Sequence, residues 1–223
     1  MTRKNQEGLP AISPGIKKGD FLSVFNPVLA TRNLSPLSMR IIAGQCKGHR
    51  LAPLKGGQTR PTQDQVREAI FNILGSEGPF LKVADLFAGS GAMGLEALSR
   101  WGGAALFVET SRAAVDCLRK NIGLLKMEGK ARVIQRDLSR GVRFLHKVGG
   151  LFDLIFMDPP YGQGWCEALI PSLLSLSILE EKGVLVLEHD LKEPIPGQVG
   201  DWGIRDQRRY GQTRVSFYKS MKR

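Results

Sequence analysis

The stretch from Lys82 to Trp101, KVADLFAGSGAMGLEALSRW, passes from an apolar run through a glycine-rich loop into residues at helical spacing. KVADLF has the length and composition of a buried strand, and MGLEALSRW reads as the helix that follows it. Gly89, Gly91 and Gly94 between them match G-x-G-x-x-G, a weak signal by itself that gains meaning from its place after a strand.

The same alternation continues on the C-terminal side. AALFVE (104–109), ARVIQ (131–135), LFDLIFM (151–157) and GVLVLE (183–188) read as strands. Between them, Ser111 to Leu125 reads as a long helix, LSRGVRFLHKV (138–148) as helix-like, and the region from Glu167 to Leu176 as helical. TRVSFY (213–218) alternates like a final strand. On the N-terminal side, Thr62 and Gln65 have capping-box spacing, and Val66, Ala69, Ile70, Ile73 and Leu74 form a stripe that Gly75 ends. Strands this apolar, alternating with helices, predict an α/β fold: a doubly wound, mostly parallel sheet covered on both faces, of the Rossmann-like kind. Short apolar pieces over residues 40–54 predict a small twisted hairpin in front of it. Residues 1–38, rich in Lys, Pro, Ser and Asn, read as a disordered basic extension, with Met39 opening the folded part.

Charge is unevenly spread over the 223 residues, whose net charge is +11. Residues 1–62 hold ten Lys/Arg against two Asp/Glu, residues 192–223 eight against three, and residues 63–191 fourteen against sixteen. Basic flanks around a mildly acidic centre suggest polyanion-binding ends on a small-molecule chemistry core. No run approaches the roughly 18 apolar residues that span a membrane, and none makes a secretory leader, so a cytoplasmic protein is expected. Cys46, Cys117 and Cys166 are scattered without a CxxC pair, and His146 and His189 lack a second ligand at metal spacing. Neither disulfides nor a metal site are expected.

Ligands in such folds bind beyond the carboxyl ends of the strands, and four strand ends carry acids: Asp85, Glu109, Asp137 and Asp158. Asp85 and Phe87 precede the first glycine, where an acid would repel a dinucleotide's diphosphate. S-adenosylmethionine, bearing an ammonium and a sulfonium, is the cofactor that tolerates it. Its carboxylate can take the backbone N–H groups of the loop Gly89, Ser90, Gly91 at the helix start. Glu109 is then placed for the ribose hydroxyls, and Asp137 with the backbone at Leu138 for adenine.

MDPPYG, Met157 to Gly162, ends an apolar strand in an acid, two prolines and a tyrosine. Methylating an aromatic amine requires its lone pair to leave conjugation. A carboxylate, Asp158, and a carbonyl, that of Pro159, can accept the two N–H bonds and favour the pyramidal nitrogen. Pro159 and Pro160 fix the backbone that aims these acceptors. Tyr161 offers a face for a flipped-out base, worth about 1–3 kcal/mol.

DPPY downstream of DLFAGSGAMGLEALSR resembles the S-adenosylmethionine-dependent N-methyltransferases of amino groups. MRIIAGQCKGHRL, RPTQDQVREAIFNIL and RRYGQTRVSFY further resemble the RsmD family, which methylates N2 of guanine 966 in 16S ribosomal RNA of the small subunit. The likeness runs from about Met39 to Tyr218. It implies that residues 39–62 contact RNA and residues 63–223 form the methyltransferase domain. It also implies that Asp85, Gly89, Gly91, Glu109 and Asp137 hold the cofactor and that Asp158 to Tyr161 hold the target amine. Arg60, Pro61 and Thr62 would lie near cofactor and RNA, and Arg40, Lys47, Arg50 and Lys55 would grip phosphates. A monomer without metal is expected. DPPY alone does not separate guanine-N2 from adenine-N6 or cytosine-N4, in DNA or RNA. A non-catalytic ribosome-assembly factor and a nicotinamide oxidoreductase are the remaining readings; DPPY weighs against the first and Asp85 against the second.

Overall fold

A computed structural model describes residues 39–54 and 61–222. Residues 1–38, Lys55 and Arg60 lie outside the described residues, as does the side chain of Thr62 and with it the capping-box expectation. Five strands, β1 (Lys82–Leu86), β2 (Ala104–Glu109), β3 (Ala131–Gln135), β4 (Phe152–Met157) and β5 (Leu179–Asp190), pair in parallel in the order β3-β2-β1-β4-β5. Three more, β6 (Gln198–Val199), β7 (Trp202–Tyr210) and β8 (Thr213–Ser220), extend the sheet antiparallel as β5-β8-β7-β6. The mostly parallel, doubly wound expectation holds. The order reverses between β1 and β4, which opens a crevice at their carboxyl ends.

Side-chain alternation divides the core into two layers. Val83, Phe107, Leu154, Phe156 and Val186 pack on one face with α1 (Pro61–Leu74), α2 (Ala92–Trp101) and α3 (Arg112–Leu124). Leu86, Leu106, Ile155, Met157 and Leu187 pack on the other with α4 (Phe144–Val148) and α5 (Trp165–Ser175). A strand buried on both faces has no polar side to show, which is why these runs read as continuously apolar.

Three readings change in detail. LSRGVRFLHKV is not one helix: Leu138–Arg140 forms a 3-10 turn, and Gly141 at φ 87° separates it from α4. The segment before β8 carries β6 and β7, whose outward charges (Asp206, Arg208, Arg209) hide the strand pattern. Residues 39–54 do turn back on themselves, but as an irregular hairpin: Ile41 N–H donates to His49 O (3.0 Å), Gly48 N–H to Ile41 O (2.8 Å) and Leu51 N–H to Met39 O (2.8 Å), around the single antiparallel bridge of Arg40 with Arg50. Several of the remaining backbone groups go to side chains of α2 and α3. The carboxylate of Glu96, fully buried, accepts the N–H of Ile42 (2.7 Å) and of Ala43 (3.0 Å). Ser99 Oγ accepts from Cys46 N (2.9 Å) and donates to Ala43 O (2.6 Å). Asn121, also buried, accepts from Ala52 N at 2.7 Å and donates to Ala52 O at 3.2 Å and to Ser90 O at 2.9 Å.

Among the described residues no helix is long and apolar enough to cross a membrane, and the three cysteines are free.

Glu96 also pairs with Arg100 (2.7 Å) and approaches Arg67 (4.0 Å). Glu96→Ala would leave the Arg100 guanidinium and two N–H groups without their acceptor, and the buried Arg67, which also donates to Arg40 O and Asp64, without its Glu96 counter-charge. Chemical denaturation should show a loss of about 3–5 kcal/mol, and a loss below about 1 kcal/mol would mean that the segment is held by Ile41 and Leu51 packing alone.

Candidate active site

The parallel register lines up the ends of four strands. Leu86 pairs with Val108 on one side and Met157 on the other, and Met157 pairs with Leu187. One residue further on, Glu109, Phe87, Asp158 and Glu188 therefore follow one another along the carboxyl edge of the sheet. A cavity of about 900 Å³ lies over this edge. Phe87, Glu109, Asp137, Leu138, Asp158, Pro159, Pro160 and Tyr161, all singled out in the sequence, line it together.

At one end the glycine loop meets Glu109. Its Oε2 accepts the N–H of Gly89 (2.8 Å), and its Oε1 accepts those of Thr110 and Ser111 (both 2.8 Å). Gly91 has φ +83°, and a Cβ there would come within 2.2 Å of Leu118 Cδ1. A side chain at Gly94 would likewise strike the Phe107 ring, 2.4 Å away. The loop thus lies flat on α3 and β2, presenting backbone rather than side chains to a ligand. Phe87 holds φ 61°, a left-handed conformation unusual for an aromatic residue, with its ring edge-on to Trp165 at 5.2 Å. Asp137 Oδ1 caps the 3-10 turn by accepting Ser139 N–H (2.8 Å), and that bond holds its carboxyl below the usual carboxylate range.

Asp85 lies under the loop rather than on the cavity wall. Its Oδ2 accepts Gly94 N–H (2.9 Å), and burial, with the nearby Glu109 charge adding to it, pushes its carboxyl up to about 7. These features suit S-adenosylmethionine. The acids at the strand ends can accept hydroxyls and an amine, and close packing against Leu118 and Phe107 keeps side chains off positions 91 and 94, while the Gly89 and Gly91 N–H groups are themselves held by Glu109 Oε2 and Ala88 O.

At the other end Asp158 shows one face to the cavity and is otherwise surrounded by protein. Burial, then the charges of Glu188 and Asp85, push its carboxyl well above the ordinary range. Tyr161 Oη donates to Glu188 Oε1 (3.2 Å) and lies 3.1 Å from Thr213 Oγ1, while its ring, in a residue 41% exposed, stays open. Burial also raises the Glu188 carboxyl.

Glu188 was not among the strand-end acids singled out above, although GVLVLE ends as KVAD and LIFMD do, apolar run into acid. Thr213, Tyr210 and Gln212 reach the wall from the β7–β8 turn, which the unread β7 concealed. Arg136 lines this cavity and also a neighbouring basin of about 580 Å³, where Arg140 and Arg143 join it. Its guanidinium stacks 4.3 Å over Phe144, and its Nε is buried without a hydrogen-bond partner among the described residues. Arg40, Lys47 and Arg50 are exposed on the N-terminal segment, away from the cavity wall. His189 is fixed between Asp190 O (2.9 Å) and Ser216 Oγ (2.9 Å).

The acid row and glycine cradle are those of methyltransferase folds, and comparison with known proteins gives the family. Residues 39–219 match the family described as Conserved hypothetical protein 95. The chain belongs to this family, the RsmD family. Among its relatives, ribosomal RNA small subunit methyltransferase D of Escherichia coli strain K12 is 35% identical over 181 residues, 81% of this chain and 89% of that protein. Bacillus subtilis YlbH is 38% identical over 181 residues, 81% of this chain and 98% of that protein. The solved structure of Escherichia coli yhhF superposes with a TM-score of 0.71 at 34% identity, covering 83% of this chain and 99% of that one.

The raised Asp85 carboxyl has a consequence for stability. Folded, it keeps its proton up to about pH 7; unfolded, only to about pH 4. Between those values the folded state binds more protons, so its stability falls as pH rises through that window. Asp85→Asn removes this contribution while an amide oxygen can still accept Gly94 N–H. Thermal melts at about pH 5 and about pH 8 should show wild type losing ground to Asp85→Asn on going up in pH. A constant difference would mean an ordinary carboxyl.

Proposed function

We propose that this RsmD-family chain transfers a methyl group from S-adenosylmethionine to the exocyclic N2 of one guanine, guanine 966 by the usual numbering, in 16S ribosomal RNA of the small subunit. The observation that carries the reading is that Asp158, Pro159, Pro160 and Tyr161 share one cavity wall with Phe87, Glu109, Asp137 and Leu138. An amine-holding set and a cofactor-holding set face the same space. The names of the relatives, methyltransferases of ribosomal RNA, support the substrate class.

When bound, the cofactor supplies an electrophilic methyl on a sulfonium. Residues Gly89, Ser90 and Gly91 would hold its carboxylate, Glu109 its ribose, and Asp137 with the backbone at Leu138 its adenine. Phe87 and Trp165 wall the cavity between the two sets and exclude water from it. At the far end, Tyr161 stacks on the extruded base. Asp158 and the Pro159 carbonyl accept the amine's N–H bonds, so the nitrogen lone pair is free for attack. In its ionised form Asp158, whose carboxyl burial and neighbouring acids make more basic than an ordinary carboxylate, takes the proton the amine sheds once it is alkylated.

Arg136, Arg140 and Arg143 on one side of the cavity, and Arg40, Lys47 and Arg50 on the N-terminal segment, grip RNA phosphates on this reading. The chain acts as a cytoplasmic monomer and needs no metal for a methyl transfer of this kind.

Labelled methyl transfer to small subunits that lack the modification, followed by nucleoside analysis, tests the reaction. Label is expected in N2-methylguanosine, and Asp158→Ala should lower kcat by about 100-fold or more. Label in another nucleoside, or full transfer by Asp158→Ala, would overturn the assignment. Replacing Arg140 and Arg143 with Glu should weaken RNA binding and flatten its log–log salt slope by about 0.7 per lost contact; an unchanged slope would remove these two from the interface.

A further inference from the structure

Asp158 and Glu188 follow directly after Met157 and Leu187, residues paired between β4 and β5. They therefore stand side by side, both on the cavity wall. The groups facing Glu188 are the Asp158 carboxylate from the end of β4 and the Tyr161 hydroxyl from the loop after it, which Thr213, at the start of β8, holds from its other side. Among the described residues, arginine and lysine are absent from this group and Arg136 is the single cationic side chain on the cavity wall. With both acids ionised, the pair offers an incoming base acceptors, and Tyr161 is the one protein donor to it among the described residues.

The Watson–Crick edges of the bases differ in this respect. Adenine and cytosine place a ring acceptor next to their exocyclic amine, whereas guanine places the N1–H donor next to its N2 amine. Two adjacent carboxylates suit a donor beside a donor. They repel an acceptor beside a donor, because a ring lone pair would face an anion and leave a polar group unpaired.

Resting on the guanine-N2 reading above, we propose that Glu188 is the base-selecting residue. Its carboxylate accepts the N1–H of the target guanine while Asp158 and the Pro159 carbonyl accept the N2 hydrogens. Tyr161 holds Glu188 in place through the hydrogen bond from its hydroxyl to Oε1 and so links base stacking to base reading. Oε2 has no protein donor among the described residues and is the atom left for N1–H. The pair of like charges explains why the site is exacting: an incoming base must bring donors for both acids, and guanine brings them in one plane.

The test uses reconstituted small subunits whose 16S RNA is ligated from segments and carries either guanine or 2-aminopurine at the target position. 2-Aminopurine keeps the 2-amino group and presents N1 as an acceptor. Wild type should prefer guanine by about 30-fold or more in kcat/KM. Glu188→Gln retains an oxygen for Tyr161 and replaces the free acceptor with an N–H donor. It should narrow that preference at least about tenfold, chiefly by gaining on 2-aminopurine. A variant that loses rate on both bases with the ratio unchanged would assign Glu188 a structural role and overturn the proposal. The wild-type comparison stands even where the variant does not fold: equal rates on the two bases would overturn the proposal without it. Absence of any methylation of the guanine substrate by wild type would instead bring down the functional reading, and Glu188's role with it, and is seen before a variant is made.

Discussion

Parallel strand pairing in register is the constraint on which the rest of the molecule depends. Because Leu86, Val108, Met157 and Leu187 occupy one row of the sheet, the next residues of their strands emerge together at its edge. Three of those four, Glu109, Asp158 and Glu188, are acids, and Asp85 lies just beneath. Like charges so close raise one another's proton affinity and would destabilise a site that had no ligand to receive. The fold accepts the repulsion by anchoring the members differently. Glu109 accepts hydrogen bonds from three backbone N–H groups, Asp85 from one, and Glu188 from a tyrosine hydroxyl. Asp158 has no such partner among the described residues and faces the cavity.

Much of this was legible in the sequence because strands covered on both faces must be apolar throughout, so an acid at the end of such a run stands out. KVAD, LFVE and LIFMD each marked, on that ground, an acid that lies on the cavity wall or just beneath it. GVLVLE carried the same signal and was passed over, since no short motif followed it as PPY follows Asp158. The β7–β8 turn was less readable. Trp202 to Tyr210 lies toward the sheet's far edge with charged residues pointing to solvent, so period-two hydrophobicity is diluted, and the turn's reach over the cavity depends on pairing that the local sequence does not encode.

The N-terminal segment was the hardest to anticipate. Its residues suggested a hairpin, and a short irregular one forms, yet the N–H groups of Ile42, Ala43, Cys46 and Ala52 are taken by side chains far away in sequence, Glu96, Ser99 and Asn121. A buried Glu or Asn inside a helix looks like an error in binary patterning until the segment it captures is known. Here the polar residues of α2 and α3 take up the backbone groups that the irregular hairpin leaves over.

Asn121 occupies a place of its own among these. One carboxamide binds Ala52 of the N-terminal segment and Ser90 of the glycine loop. The two pieces therefore share the entropy of being ordered: whatever fixes one has already met part of the cost of fixing the other. Loss of that one carboxamide would therefore loosen the N-terminal segment and the glycine loop together.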